Sequence, residues 1–265
     1  MLVFIIPLRS AQTCDSWERV CKLFERSLRS ACSQTSSEFQ IFVVCHEIPD
    51  IQFSHQAVTY IQVDFTSPTK ENISSRGETD RNRKIFTGLT QIRKSHASHV
   101  MFLDADDCVS NCLVEFVSNH PNEYGWVISK GYEYQETSNL VKHRKKQFQM
   151  RCGSSHIIRY DLVEQLINIH LEDVSSGFLQ HREIEDIMKS KGTPLVELPF
   201  EGAIYITENS ENFFNQEKFF LQRFRQGNSY WKHAFILYTG KIWKRITSKR
   251  LTNEIRDEFG IYDLS

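Results

Sequence analysis

Six apolar residues, Met1-Leu2-Val3-Phe4-Ile5-Ile6, run up to Pro7, the pattern of a strand buried on both faces. Asp15 and Glu18 then form a capping-box pattern ahead of Trp17, Val20, Phe24 and Leu28, whose spacing predicts a helix with one apolar stripe. Phe39–Cys45 reads as a second apolar strand and Val58–Val63 as a third. A polar loop over 66–79 leads into a helix through Ile85, Leu89 and Ile92. A fourth apolar run, His99-Val100-Met101-Phe102-Leu103, ends in Asp104-Ala105-Asp106-Asp107, and a segment of helical character follows over 108–118. Strands alternating with helices through short links predict an α/β fold, a mostly parallel sheet covered on both faces.

Beyond the fourth strand the pattern changes. Trp126–Ser129 reads as a strand, Gly131–Arg151 as a hairpin, and Cys152–Arg159 as a short strand or turn. Asp161–Ile169 and Leu179–Lys191 read as helices, the second stopping before Gly192 and Pro194. Over 212–250 the character shifts again. Lys218, Arg223, Arg225, Lys232, Lys241, Lys244, Arg245, Lys249 and Arg250 face the single acid Glu217 and are interleaved with aromatic residues such as Phe213, Phe220, Trp231 and Trp243. The division expected is a domain over 1–210 and a basic, aromatic helical extension over 211–265. Such an extension suits either an anionic membrane surface or a cap over the sheet with a solvated basic face.

Composition narrows the class. The 265 residues suffice for one large α/β domain, and a net charge of −1 gives no global attraction to nucleic acid, so none is expected as a partner. Seven scattered cysteines without a close-spaced pair read as reduced and intracellular rather than as a disulfide framework. Cys108 and Cys112, one helical turn apart, read as core packing. The apolar start lacks a basic leader and meets Arg9 soon after Pro7, which fits a first strand better than a signal peptide. No run is long enough to cross a bilayer, so a cytoplasmic location is expected, with peripheral contact at the inner membrane face through 212–250.

The chemistry concentrates at Asp104-Ala105-Asp106-Asp107. Open α/β sheets bind ligands beyond the carboxyl ends of their strands. Carboxylates this close repel one another unless a hard cation compensates them, so a divalent metal, manganese or magnesium, is the expected partner. Asp107 alone also reads as a helix N-cap. That role leaves Asp104 and Asp106 unexplained, since two residues apart on an extended chain they point the same way. Asp80 and Lys84 have the spacing of an i,i+4 ion pair on a solvated face.

Phe4-Ile5-Ile6-Pro7, Val43-Val44-Cys45-His46-Glu47, Asp80-Arg81-Asn82-Arg83-Lys84, Phe102-Leu103-Asp104-Ala105-Asp106-Asp107 and Gly192-Thr193-Pro194 occur in an order that resembles bacterial GT-A-fold glycosyltransferases of the family 2 kind, over roughly the first 210 residues. The resemblance implies a Rossmann-like, mostly parallel sheet and transfer of a hexosyl-type sugar from a nucleoside-diphosphate sugar such as a UDP-sugar. The acceptor would be a hydroxyl on a glycan or a lipid-linked molecule. It implies that Asp104 and Asp106 match the acidic metal and donor motif, with Asp106 the direct ligand and Asp104 on the ribose or a water-mediated contact. Pro7, Arg9 and Glu47 match strand ends lining the nucleoside pocket. Asp80 and Lys84, with Arg83 as the substitute, match the stretch approaching the diphosphate. The family's acidic base falls in a register held here by Gln180-His181, so His181 is expected as catalytic base or metal ligand, with Asp186 the next candidate. Glu183, Glu185 and the pair Glu172-Asp173 are rivals, and a surface or capping role for His181 stays open. Transfer is expected to be inverting, with retention open. Two other readings remain: a degenerate domain that binds nucleotide-sugar or glycan without turnover, and a nucleotidyltransferase, for which Pro7-Leu8-Arg9-Ser10 is poor in glycine and lysine.

Overall fold

The computed structural model describes residues 1–93, 96–136, 138–166, 181–207, 209, 211 and 248–264. The apolar runs become strands β1 (Leu2–Pro7), β2 (Phe39–Cys45), β3 (Val58–Gln62) and β4 (His99–Phe102), and these pair in parallel in the order β3-β2-β1-β4. Further on, β6 (Gly125–Val127), β9 (His156–Arg159) and β10 (Val196–Glu197) extend the sheet beyond β4. There β9 runs antiparallel between β4 and β6, and β10 lies parallel to β6 at the edge. The mostly parallel α/β sheet expected from the sequence is therefore present.

Side chains alternate across β1 to serve two cores. Leu2, Phe4 and Ile6 pack with Val20, Phe24 and Leu28 of α1 (Trp17–Cys32) and with Leu113, Val114 and Val117 of α3 (Leu113–Asn119). Val3 and Ile5 face the opposite way, toward Ile85, Leu89 and Ile92 of α2 (Ile73–Ile92), Leu162 and Val163 of α4 (Tyr160–Leu166), and Ile184 and Met188 of α5 (Ile184–Ser190). The period-two pattern of a strand covered on both faces is thus read out by helices on both sides.

A second, smaller sheet comprises β5 (Cys108–Val109), the hairpin β7 (Gly131–Gln135) and β8 (Leu140–Arg144), β11 (Ala203–Thr207) and β12 (Lys249–Arg250). Its order is β12-β8-β7-β11-β5. Tyr134, Val141, Ile204 and Ile206 of this sheet pack with Leu251, Ile261 and Phe259 of α6 (Asn253–Phe259). Gly125 sits at φ 137°, where a Cβ would lie 2.1 Å from the Ile157 carbonyl oxygen, so only glycine lets β6 close onto β9.

Several local expectations change. The cap of α1 is Ser16, whose side chain accepts from the Arg19 amide, rather than the Asp15/Glu18 box. Helix α2 begins at Ile73, inside the stretch read as loop. Residues 108–118 are not one helix: Cys108 and Val109 form β5, and α3 begins only at Leu113. Cys108 and Cys112 are consequently not helical neighbours, and while Cys108 is buried, Cys112 is exposed. Among the described residues no helix is long and apolar enough to cross a membrane. Most of the basic, aromatic stretch, 212–247, lies outside the described residues, as do Glu172, Asp173 and Gln180.

Candidate active site

In the order β3-β2-β1-β4, the chain leaves β1 toward β2 on one side and returns to β4 on the other. A crevice opens at such a reversal, outside the carboxyl ends of β1 and β4. Leu8 and Arg9 follow β1 there, and Asp104–Asp107 follow β4.

The acidic tetrapeptide is a turn rather than an extended stretch, closed by the Asp107 amide donating to the Asp104 carbonyl at 3.2 Å. Asp107 caps no helix. It is fully buried, accepting from the Ser154 hydroxyl at 2.8 Å, the Cys152 thiol at 3.2 Å and the Ile206 amide at 3.2 Å, and so ties β4, the 152–154 segment and β11 together. Burial, with Asp106 and Asp104 nearby, pushes its carboxyl well above the usual range. Asp106 is half-buried, accepts from Asn209 Nδ2 at 2.7 Å, and is pushed up to about 6 by burial and by Asp104.

Asp104 meets a cation of the protein itself. Arg81 on α2 reaches its Oδ1 through Nε at 3.1 Å and Nη2 at 2.9 Å. The Asp104 amide donates to the Ser154 hydroxyl at 2.9 Å, and a Cβ on Gly153 would fall 2.5 Å from Asp104 Oδ2. The 152–154 segment therefore lies directly against this carboxylate, which is the physical reason for glycine at 153.

The residues expected in the donor pocket divide into groups. Pro7 ends β1 opposite Val44. Arg9 turns inward to the carbonyls of Thr13 and Glu211 and lies 3.5 Å from a Glu211 carboxylate oxygen. Glu47 accepts from the Ser10 hydroxyl at 2.9 Å and the Ala11 amide at 3.2 Å, shaping the short 3-10 turn after β1. The Asp80–Lys84 pair exists but is not on a solvated face. Lys84 is fully buried, donating to Asp80 Oδ2 at 2.7 Å and the Leu8 carbonyl at 2.8 Å, while His46 Nε2 lies 2.9 Å from Asp80 Oδ1. Desolvation lowers the Lys84 pKa against the pull of Asp80. These two residues stitch α2 to the ends of β1 and β2. Arg83 is exposed, its guanidinium 3.9 Å over the Phe65 ring.

His181 lies in the turn before α5, within electrostatic reach of Asp104 and Arg81. Burial lowers its pKa, Asp104 opposes that, and its Nε2 is buried without a partner. Asp186 is exposed on the first turn of α5. Glu185 takes a hydrogen bond from Gln149 at 2.8 Å. Asp104, Asp106 and His181 do not converge as a ready-made ligand set: among the described residues no three His, Cys, Asp or Glu side chains are placed to hold a metal. Oxygen donors that crowd one another, as Asp106 and Asp104 do, nevertheless suit magnesium or manganese, which are held by one or two carboxylates together with substrate phosphates.

Asn209 and Glu211 carry no signal in the sequence reading, Arg81 enters it only within the Asp80–Lys84 stretch, and Ser154 only within the small-residue segment 152–156, read as a tight turn or as lining for an acceptor. Arg81 sits next to Asp80 and was within reach of a charge argument. Asn209 and Ser154 are 103 and 50 positions from the acids they serve, and no local pattern marks them.

The architecture is that of a mostly parallel α/β sheet with an antiparallel strand, β9, beyond β4. No protein-family model and no curated protein matches the sequence. Among solved structures, residues 1–349 of TarS from S. aureus match at TM-score 0.46 and 13% identity, covering 77% of this chain and 60% of that one. The same fragment solved with UDP-GlcNAc gives 0.42 at 13% identity, covering 83% and 63%. The 2-C-methyl-D-erythritol 4-phosphate cytidylyltransferase (IspD) of Francisella tularensis gives 0.44 at 12%, covering 84% of this chain and 98% of that one. The chain thus spans less than two thirds of the TarS fragments.

Proposed function

We propose that residues 1–210 form a glycosyltransferase domain that binds a nucleoside-diphosphate sugar in the β1/β4 crevice and passes the sugar to a hydroxyl of a glycan or lipid-linked acceptor. One observation carries this reading: three carboxylates gather at the carboxyl end of β4, at the strand-order reversal, with Arg81 drawn onto the first of them.

Asp104, held by Arg81 and the Ser154 hydroxyl, is oriented toward the donor's ribose side. Arg81 is also placed to meet diphosphate oxygens, which a guanidinium binds with paired N–H groups. Asp106, with Asp104, would hold a divalent cation, which when bound neutralises charge on the departing nucleoside diphosphate. Asp107 is closed to ligand by its three internal partners and fixes the turn. His181, a neutral imidazole beside Asp104, is the group we assign to the acceptor proton. Lys84 and Asp80 support the pocket from behind, while Arg83, exposed over Phe65, remains the cation free to approach phosphate. The basic, aromatic stretch over 212–250 is proposed to bring positive charge to an anionic membrane face.

The test is release of nucleoside diphosphate from UDP- and GDP-sugars by the intact chain with manganese. Asp106→Asn and Arg81→Gln are expected to lose at least tenfold in rate. Full activity in both variants would overturn the site assignment, and release from no donor by the folded wild type would overturn the reaction.

A further inference from the structure

Two guanidinium groups converge on Glu133 of β7, whose side chain is 8% exposed. Arg144, across the hairpin on β8, donates from Nε at 2.9 Å to one carboxylate oxygen and from Nη2 at 3.1 Å to the other. Arg151, which ends the short 3-10 turn Phe148–Met150, adds its Nε at 3.3 Å to the oxygen that Arg144 Nε already holds. One carboxylate cannot neutralise two cations, so the cluster keeps one positive charge in excess. Arg151 commits only Nε to Glu133, which leaves its outer pair of N–H groups for another partner. The side chains remain reachable from solvent, 30% exposed for Arg144 and 45% for Arg151. Lys145 and Lys146, both exposed, follow β8 directly, while the neighbouring carboxylate of Glu185 on α5 is taken by Gln149 at 2.8 Å.

The cluster adjoins the crevice. Arg151 runs into Cys152, whose thiol donates to Asp107, and then into Gly153, where a Cβ would fall 2.5 Å from Asp104 Oδ2. Two residues of extended chain span at most about 7 Å, so the Arg151 backbone lies within that reach of the residue that touches the candidate donor carboxylate. On the other side Glu133 is the register partner of Tyr205 on β11, and the amide of the next residue, Ile206, donates to Asp107. A guanidinium pair already set by a buried carboxylate loses little side-chain freedom when it takes an anion. The fork of Arg151 would use up both oxygens of a carboxylate, whereas the further oxygen of a phosphate can reach Arg144 at the same time.

We propose that Arg144 and Arg151, held by Glu133, bind a phosphate group carried by the acceptor, on a phosphorylated glycan or in a lipid headgroup. This rests on the glycosyltransferase reading and names the chemical class of its acceptor. Both arginines are positioning residues: they hold the phosphate while a hydroxyl of the same molecule is presented to the crevice.

Nitrogen-15 NMR of the arginine Nε–H groups reads the site with no nucleotide present. Inorganic phosphate and methyl glucoside 6-phosphate, titrated into the intact chain, should shift the Arg144 and Arg151 signals saturably. Arg151→Lys keeps the charge but removes the fork and should weaken binding about fivefold. Lys145→Gln with Lys146→Gln should change it by less than about twofold. No saturable shift, or undiminished affinity in Arg151→Lys, would overturn the site. Release of UDP from UDP-GlcNAc, measured with methyl glucoside or its 6-phosphate and with phosphatidylcholine vesicles carrying diacylglycerol or phosphatidylglycerol, then identifies the source of the phosphate. A phosphorylated acceptor should accelerate release about tenfold more than its neutral counterpart, and Arg151→Gln should abolish that preference. Preference for the soluble sugar phosphate puts the group on a glycan, and preference for phosphatidylglycerol vesicles alone puts it on a lipid. Equal acceleration by charged and neutral acceptors would overturn the acceptor role. Phosphate binding at Arg151 in a chain that binds no nucleotide would sink the donor reading while leaving the anion site standing.

Discussion

Asp106→Asn should make the protein more stable at neutral pH while weakening the donor binding proposed above. The raised pKa means that ionised Asp106 is a cost to the fold when no cation accompanies it. A group whose folded pKa lies above its unfolded value contributes stability that is complete below the unfolded value, here the ordinary 3.8, and is lost as pH rises through the folded value of about 6. At about 1.4 kcal/mol per pH unit that separation corresponds to roughly 3 kcal/mol. Because the side chain is only half-buried and shares its charge with Asp104, the gain expected from the amide is about 1–2 kcal/mol. The amide keeps the Asn209 contact through its own oxygen. Urea unfolding of both proteins at pH 5, 6, 7 and 8, in chelator and without nucleotide, reads the difference directly. The variant should gain on the wild type across pH 5–7 and hold a constant advantage above it. Asp107 is pushed up in part by Asp106, so the variant eases it too and its share adds to the difference in the same direction. A variant less stable than wild type at pH 8, or a difference that does not change with pH, would refute the reasoning.

Other perturbations test the supports of the site. Lys84→Met removes the cation between Asp80 and the Leu8 carbonyl and should cost about 3–5 kcal/mol in chemical unfolding, with Asp80→Asn in the same chain restoring part of it; a loss under about 1 kcal/mol would show the pair is not a buried anchor. Arg81→Gln should weaken UDP binding at least tenfold in calorimetry, with the melting temperature little changed, because the Arg81–Asp104 pair is partly exposed. His99 is held neutral, its pKa lowered to about 4 by burial against the opposing pull of the Glu123 carbonyl, so its contribution is complete above about 6.5 and lost as pH falls through 4. His99→Gln should therefore lose less stability than the wild type on acidification from pH 7 to 4, measured by urea unfolding; equal losses would contradict the assignment.

The sheet was legible because its strands are apolar on both faces. Leu2–Pro7, Phe39–Cys45 and His99–Phe102 could not be anything exposed, and the stripes Val20-Phe24-Leu28 and Ile85-Leu89-Ile92 named the helices that cover them. The turn at Asp104–Asp107 was misread as leading to a helix because the two-residue strand after it is too short to show a period, and because Asp before a mixed segment is also what a cap looks like. Lys84 was read as solvated because i,i+4 charge spacing carries no information about depth; only the tertiary approach of Leu8 and His46 shows it to be interior. The roles of Asn209 and Ser154 depend on long-range contacts that residue type alone does not encode.

The central claim is that the β1/β4 crevice holds a nucleoside diphosphate through Asp106. Calorimetric titration of UDP, GDP and CDP into the intact chain, with and without manganese, and into Asp106→Ala, addresses it most directly. The account predicts saturable binding of at least one nucleotide, strengthened by manganese and lost in a variant that keeps the wild-type circular dichroism spectrum. Binding of none of them by the folded wild type, or undiminished binding by Asp106→Ala, would contradict it.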